Sequence, residues 1–140
     1  MKKYIYISIG GFVGAILRFV IENINLYDYT GIIPIKTLVI NISGSFLLAF
    51  ISTIFLNILN RHLNIQLMLC TGFLGAFTTF STLCKETSLI FSNGHFSLAI
   101  FYALMSLVLG LLFSLFGVLV GNFSIKKIKD NFRKQGFDNN

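Results

Sequence analysis

The sequence predicts an all-α membrane protein with four transmembrane helices, the third of them broken. Three observations carry this. Mean hydropathy is +0.81 and only 11% of the 140 residues are charged, well below the roughly 25% of a soluble domain. The apolar residues fall into four runs, each at or near the ~20 residues that a helix needs to cross hydrocarbon. The third run also holds glycines and a dense set of hydroxyls, which a plain span has no reason to carry.

The first run, about Tyr4 to Ile21, follows Met1-Lys2-Lys3 and has the outline of a signal peptide. It lacks a small-x-small cleavage site and further spans follow, so it reads as a retained first helix. Gly10 and Gly14, four apart, predict a close helix contact, and Gly117 and Gly121 repeat the spacing in the fourth run. A polar loop from Glu22 to Ile33 has room for a short interfacial turn. The second run, about Pro34 to Leu59, and the third, about Gln66 to Ile90, are joined by a short loop around Asn60-Arg61-His62. Asn93-Gly94-His95 leads into the fourth run, about Phe96 to Phe123. Residues 1–123 thus form one four-span unit. The tail, residues 124–140, is polar and basic and is expected to be disordered past its first turns.

Charge and composition exclude several classes. The net charge of +6 does not indicate nucleic acid, because the basic residues cluster at membrane edges. Cys70 and Cys84 read as small packing residues, and His62 and His95 are isolated in loops. No metal-ligand spacing and no nucleophile–base set appears, so an enzyme is not expected. An even number of spans places both termini on one side. Lys2, Lys3, Arg61, Lys126, Lys127, Lys129, Arg133 and Lys134 lie there, against Arg18, Lys36 and Lys85 opposite. This bias predicts cytoplasmic termini in a multi-pass cell-membrane protein.

Two polar features inside the spans need an account. Asn41, beside Ser43, Gly44 and Ser45, must face protein or water, because an unpaired amide in hydrocarbon costs several kcal/mol, about 4 or more. Interhelical bonding and a pore wall both suit it. In the third run, Gly72 and Gly75 lower helix propensity, and Thr78 and Thr79 can bond their own backbone. A helix interrupted near Gly75 to Thr79 follows. Broken backbone at membrane depth is tolerated where protein or a water-filled cavity surrounds it. The interruption could be a simple kink, could free carbonyls for a cation such as sodium, or could expose donors that suit an anion. Phe77 and Phe80 flank these donors and could offer electropositive ring edges. With no Lys or Arg expected deep in a span, an anion would be held weakly enough to leave.

These residues resemble the CrcB/Fluc family of fluoride channels. Gly10 to Arg18 is similar to the family's GGxxGAxxR, Thr37 to Phe46 to TLxxNxxGSF, and Gly72 to Glu86 to GFxGxxTTFSTFxxE. The resemblance spans nearly the whole chain, in order. It implies a fluoride-specific channel subunit that lets cytosolic fluoride leave passively, built as an antiparallel, dual-topology-type dimer with two pores. Asn41, Phe80, Ser81, Thr82 and Tyr102 would line the fluoride path, and Arg18 would sit in an aqueous vestibule. Carbonyls of Gly75 and Thr78 from both subunits would hold one structural Na+ at the dimer centre. Two departures stand out: Leu83 replaces a second phenylalanine, and Lys36 replaces a glycine. With the charge bias, they raise a heterodimer with a paralogous four-span subunit as the alternative to a homodimer. A small multidrug-type transporter is the rival reading. It needs a membrane-embedded acid in the first helix, where this chain has only Glu22 at the span end.

Overall fold

The computed structural model describes residues 2–24, 31–58 and 62–137, with side chains to residue 130. Four long apolar helical segments account for nearly all of it. They are α1 (Lys2–Asn23), α2 (Ile35–Asn57), a composite third span, and α6 (Phe96–Phe137). The third span comprises α3 (Leu63–Gln66), a π-helical stretch (Leu67–Phe73), α4 (Leu74–Phe77) and α5 (Phe80–Ser92). Among the described residues there is no strand. Most of the loop after α1, and Asn60 and Arg61 of the second loop, lie outside the described residues.

The expected glycine contacts form, and their partners are now visible. Gly10 and Gly14 press α1 against the backbone carbonyls of Met68 and Phe73, leaving no room for a Cβ, and Gly72 meets the Ile7 carbonyl from the other side. Here α1 runs parallel to the π-helical stretch, which the sequence pattern does not foretell. On the far side of the molecule, Gly117 of α6 would place a Cβ 2.5 Å from the Phe46 carbonyl, and Gly121 would place one 3.0 Å from Thr53. The apolar core falls between these pairs. One cluster joins Leu38, Ile90, Ala99 and Tyr102 across α2, α5 and α6; another joins Ile40, Leu74 and Phe77 across α2 and α4.

The corner between α5 and α6 is specified locally. Gly94 adopts φ +84°, a left-handed conformation that glycine takes without steric cost. It donates to the Phe91 carbonyl at 3.0 Å, and His95 donates to the Ile90 carbonyl at 3.2 Å. These are the two bonds of a Schellman C-cap. The rings of Phe91 and Phe96 meet edge-on across the corner, 4.6 Å apart.

The tail departs from expectation. Instead of losing order after its first turns, α6 continues as one helix to Phe137. Its 42 residues extend roughly 63 Å, about twice the hydrocarbon thickness. The reason is cooperative: residues 124–135 contain neither Gly nor Pro, and extending a formed helix avoids the nucleation step that an isolated tail would face.

Candidate functional site

The third span breaks where the sequence indicated. Thr78 and Thr79 are extended, with φ/ψ of −78°/153° and −145°/111°. The helix before the break ends on Leu74, whose carbonyl accepts from both the N–H and the hydroxyl of Thr78, at 3.0 and 2.9 Å. The helix after it starts on Thr79, whose Oγ1 accepts from the Thr82 N–H at 3.1 Å as an N-cap. That leaves the Thr79 peptide groups to be satisfied, and Asn41 does so. Its Oδ1 accepts from the Thr79 N–H at 2.8 Å and its Nδ2 donates to the Thr79 carbonyl at 3.1 Å. The amide stands in for a neighbouring strand, so the break persists at membrane depth with its central peptide paired. Gly44, one turn along α2, faces the Thr78 Cγ2 and leaves no space for a Cβ. Asn41 is therefore tied to the break, and one N–H of its amide stays free of partners among the described residues.

Around this pairing lies a set of uncharged hydroxyls. Thr79 Oγ1 donates to Thr82 Oγ1 at 2.9 Å and lies 3.2 Å from Ser81 Oγ. Asn41 and Phe80 border a cavity of about 670 Å³ between α2, α5 and α6, with Leu83 and Cys84 on its wall. The two phenylalanines that flank the donors have opposite fates. Phe77 is core, 4% exposed and stacked on Phe73, whereas the Phe80 ring is 78% exposed. Two extended residues separate α4 from α5, and the phenylalanines on either side of the break face different surroundings.

Tyr102 is fully buried, and its hydroxyl donates to Glu86 Oε2 at 2.8 Å. Thr37 donates to the other carboxylate oxygen at 2.7 Å. This Thr37–Glu86–Tyr102 clamp joins α2, α5 and α6, and sequence reading missed it because its members are 49 and 16 residues apart. A second missed feature was legible. Tyr102, Ser106, Gly110 and Ser114 recur every four residues on α6, and the last three border a groove of about 380 Å³ with Ser45 and Ser52 of α2.

Arg18 lies at the end of α1, its Nε 3.8 Å from Glu22, and Lys36 donates to the Glu22 carbonyl at 2.7 Å. Arg18 Nε is buried without a hydrogen-bond partner among the described residues. Lys85, counted with the side opposite the termini, lies within α5, seven residues before its end at Ser92. The carbonyls of Gly75 and Thr78 receive no backbone N–H among the described residues, and a Cβ at Gly75 would enter open space. Two neutral carbonyl oxygens beside an open face are the donor chemistry a hard monovalent cation accepts.

Comparison with known proteins follows the same residues. Residues 5–118 match the family described as "CrcB-like protein, Camphor Resistance (CrcB)". The chain is 40% identical over 119 residues to "Fluoride-specific ion channel FluC 1" of Staphylococcus epidermidis (strain RP62A), covering 85% of this chain and 96% of that protein. It is 40% identical over 134 residues to "Fluoride-specific ion channel FluC 2" of Carboxydothermus hydrogenoformans, covering 96% of each. It is 36% identical over 119 residues to "Fluoride-specific ion channel FluC" of Hydrogenobaculum sp., covering 85% of this chain and 97% of that protein. With four apolar spans, the interrupted third helix and a match across most of its length, the chain is a multi-pass membrane protein that belongs to the CrcB family.

Proposed function

We propose that this chain is a subunit of a fluoride-specific channel that lets the anion leave the cytoplasm down its gradient. The observation that carries the reading is the gathering of uncharged donors at the break: the Asn41 amide and the hydroxyls of Thr79, Ser81 and Thr82, beside the exposed Phe80 ring. Conduction needs sites that replace hydration and still release the ion. Amide and hydroxyl donors with an electropositive ring edge meet that need without trapping the anion. The names of the relatives support the same ion.

The working unit is an antiparallel dimer in the bilayer, with both termini of this chain in the cytoplasm. Many large apolar side chains are exposed on one chain, among them Phe12, Phe19 and Leu119, and lipid and a second subunit are what cover them. The Gly75 and Thr78 carbonyls, with their counterparts in the second subunit, would hold one Na+ as a structural clamp. The partner is a second copy or a paralogous subunit. Leu83 and the charge bias favour the paralogue, and relatives named FluC 1 and FluC 2 support such pairs.

Liposomes containing the purified protein, together with its paralogue where one exists, test the function. Fluoride efflux with chloride retained is the expected outcome; equal release of both would overturn the selectivity.

A further inference from the structure

We infer that Lys85 is a fixed positive charge at the mouth of the anion path on the side opposite the termini, one turn beyond Ser81, and that it raises the rate at which fluoride enters the path from that side. This rests on the channel reading above. The residue is set within α5, seven positions before its end at Ser92 and so about 10 Å along the axis from that end. An ionisable side chain on a membrane-spanning helix is costly unless it faces water or an opposite charge. Its side chain is exposed, and among the described residues no hydrogen bond or ion pair reaches it.

Helix geometry places it. Residues four apart share a face, so Lys85 lies over Ser81, and the Cα–Cβ bond of a helical residue tilts toward the N-terminus. The lysine stem therefore lies over the turn that carries Ser81 and Thr82, about 6 Å along the axis from its own Cα. Nothing on the same face neutralises it. Positions three and four away on either side are Thr82, Ser81, Ser88 and Leu89. The adjacent carboxylate, Glu86, projects about 100° around the helix and is engaged by Thr37 and Tyr102. At the same end of the molecule, Lys36 is spent on the Glu22 carbonyl and Arg18 lies against Glu22. Lys85 is thus the cation left facing the hydroxyl track. It stays clear of the break itself, so it attracts the anion without holding it at the narrow point.

The size of the effect follows from Coulomb's law and screening. A unit charge ~6 Å away in water raises the local concentration of a monovalent anion about threefold at ~10 mM ionic strength, and hardly at all at ~1 M, where the screening length is ~3 Å. Initial fluoride efflux from liposomes of neutral lipid, with sodium held constant and the protein oriented with Lys85 facing the lumen, reads this directly. At ~10 mM ionic strength Lys85→Gln should lower efflux about two- to threefold and Lys85→Glu about sevenfold. Both should approach the wild-type rate at ~1 M, and Lys85→Arg should match wild type throughout. Recovery at high ionic strength shows that the variants are folded. Unchanged efflux at low ionic strength, or a loss that is the same at both, overturns the inference, because a lipid-facing or purely structural lysine gives those results. If the wild-type protein, reconstituted with its paralogue where one exists, passes no fluoride at any ionic strength, the channel reading fails and this inference falls with it.

Discussion

Replacing Asn41 with aspartate separates its two possible contributions, holding the break and meeting the anion. The substitution keeps the acceptor 2.8 Å from the Thr79 N–H and strengthens that bond, since a bond to a charged acceptor is roughly twice as strong as a neutral one. It removes the donor 3.1 Å from the Thr79 carbonyl and sets a second acceptor there, at a cost of about 1–3 kcal/mol. The stronger bond to the N–H offsets part of that cost, so the protein should assemble. The anion meets a different situation. A carboxylate ~4 Å from fluoride repels it by about 4 kcal/mol at an effective dielectric constant of ~20, close to three decades in occupancy. Fluoride efflux from liposomes should therefore fall by roughly a thousandfold, while size-exclusion profile and yield match wild type. Asn41→Leu provides the contrast. It leaves both Thr79 peptide groups unpaired, at about 1–3 kcal/mol each, and should fail at the level of assembly. Undiminished efflux in a well-assembled Asn41→Asp protein would refute the reasoning and leave Asn41 as interhelical bonding alone.

Further outcomes follow from other contacts. Glu86→Gln should weaken the clamp with Thr37 and Tyr102 by about 1–2 kcal/mol, read as earlier thermal unfolding in detergent; unchanged unfolding would mean that the clamp does not hold α2, α5 and α6 together. Gly44→Val should drive side-chain atoms into Thr78 and Phe77 and destabilise by about 1–3 kcal/mol or more, and a melting point equal to wild type would show that the break shifts freely. Replacement of sodium by a bulky organic cation should reduce activity and dimer stability, whereas full retention of both would count against the carbonyl site. A reporter fused at Asn140 should report a single, cytoplasmic orientation, and fluoride resistance should require co-expression of a paralogous subunit; mixed orientation with full resistance from this chain alone would reject obligate pairing.

What the sequence by itself determined are the properties that add up residue by residue. Four spans follow from local hydropathy, because transfer into hydrocarbon depends on each side chain almost independently. The break between Gly75 and Thr79 was legible for a similar reason. Glycine and β-branched threonine act on the backbone that carries them, and a threonine hydroxyl can cap the helix three residues ahead. The glycine pairs showed that two helices approach closely, though not which ones. Tertiary structure decided everything that depends on helix rotation. The second span is apolar on nearly every side, so its pattern does not say where Asn41 points; only packing brings it to Thr79, 38 residues away. The same holds for Glu86, which meets Thr37 and Tyr102 only once three helices are docked. Phe77 and Phe80 look alike in sequence and part company because two extended residues reorient the chain between them. Partners for buried polar groups are chosen by which faces meet, and that choice is made by the whole bundle at once.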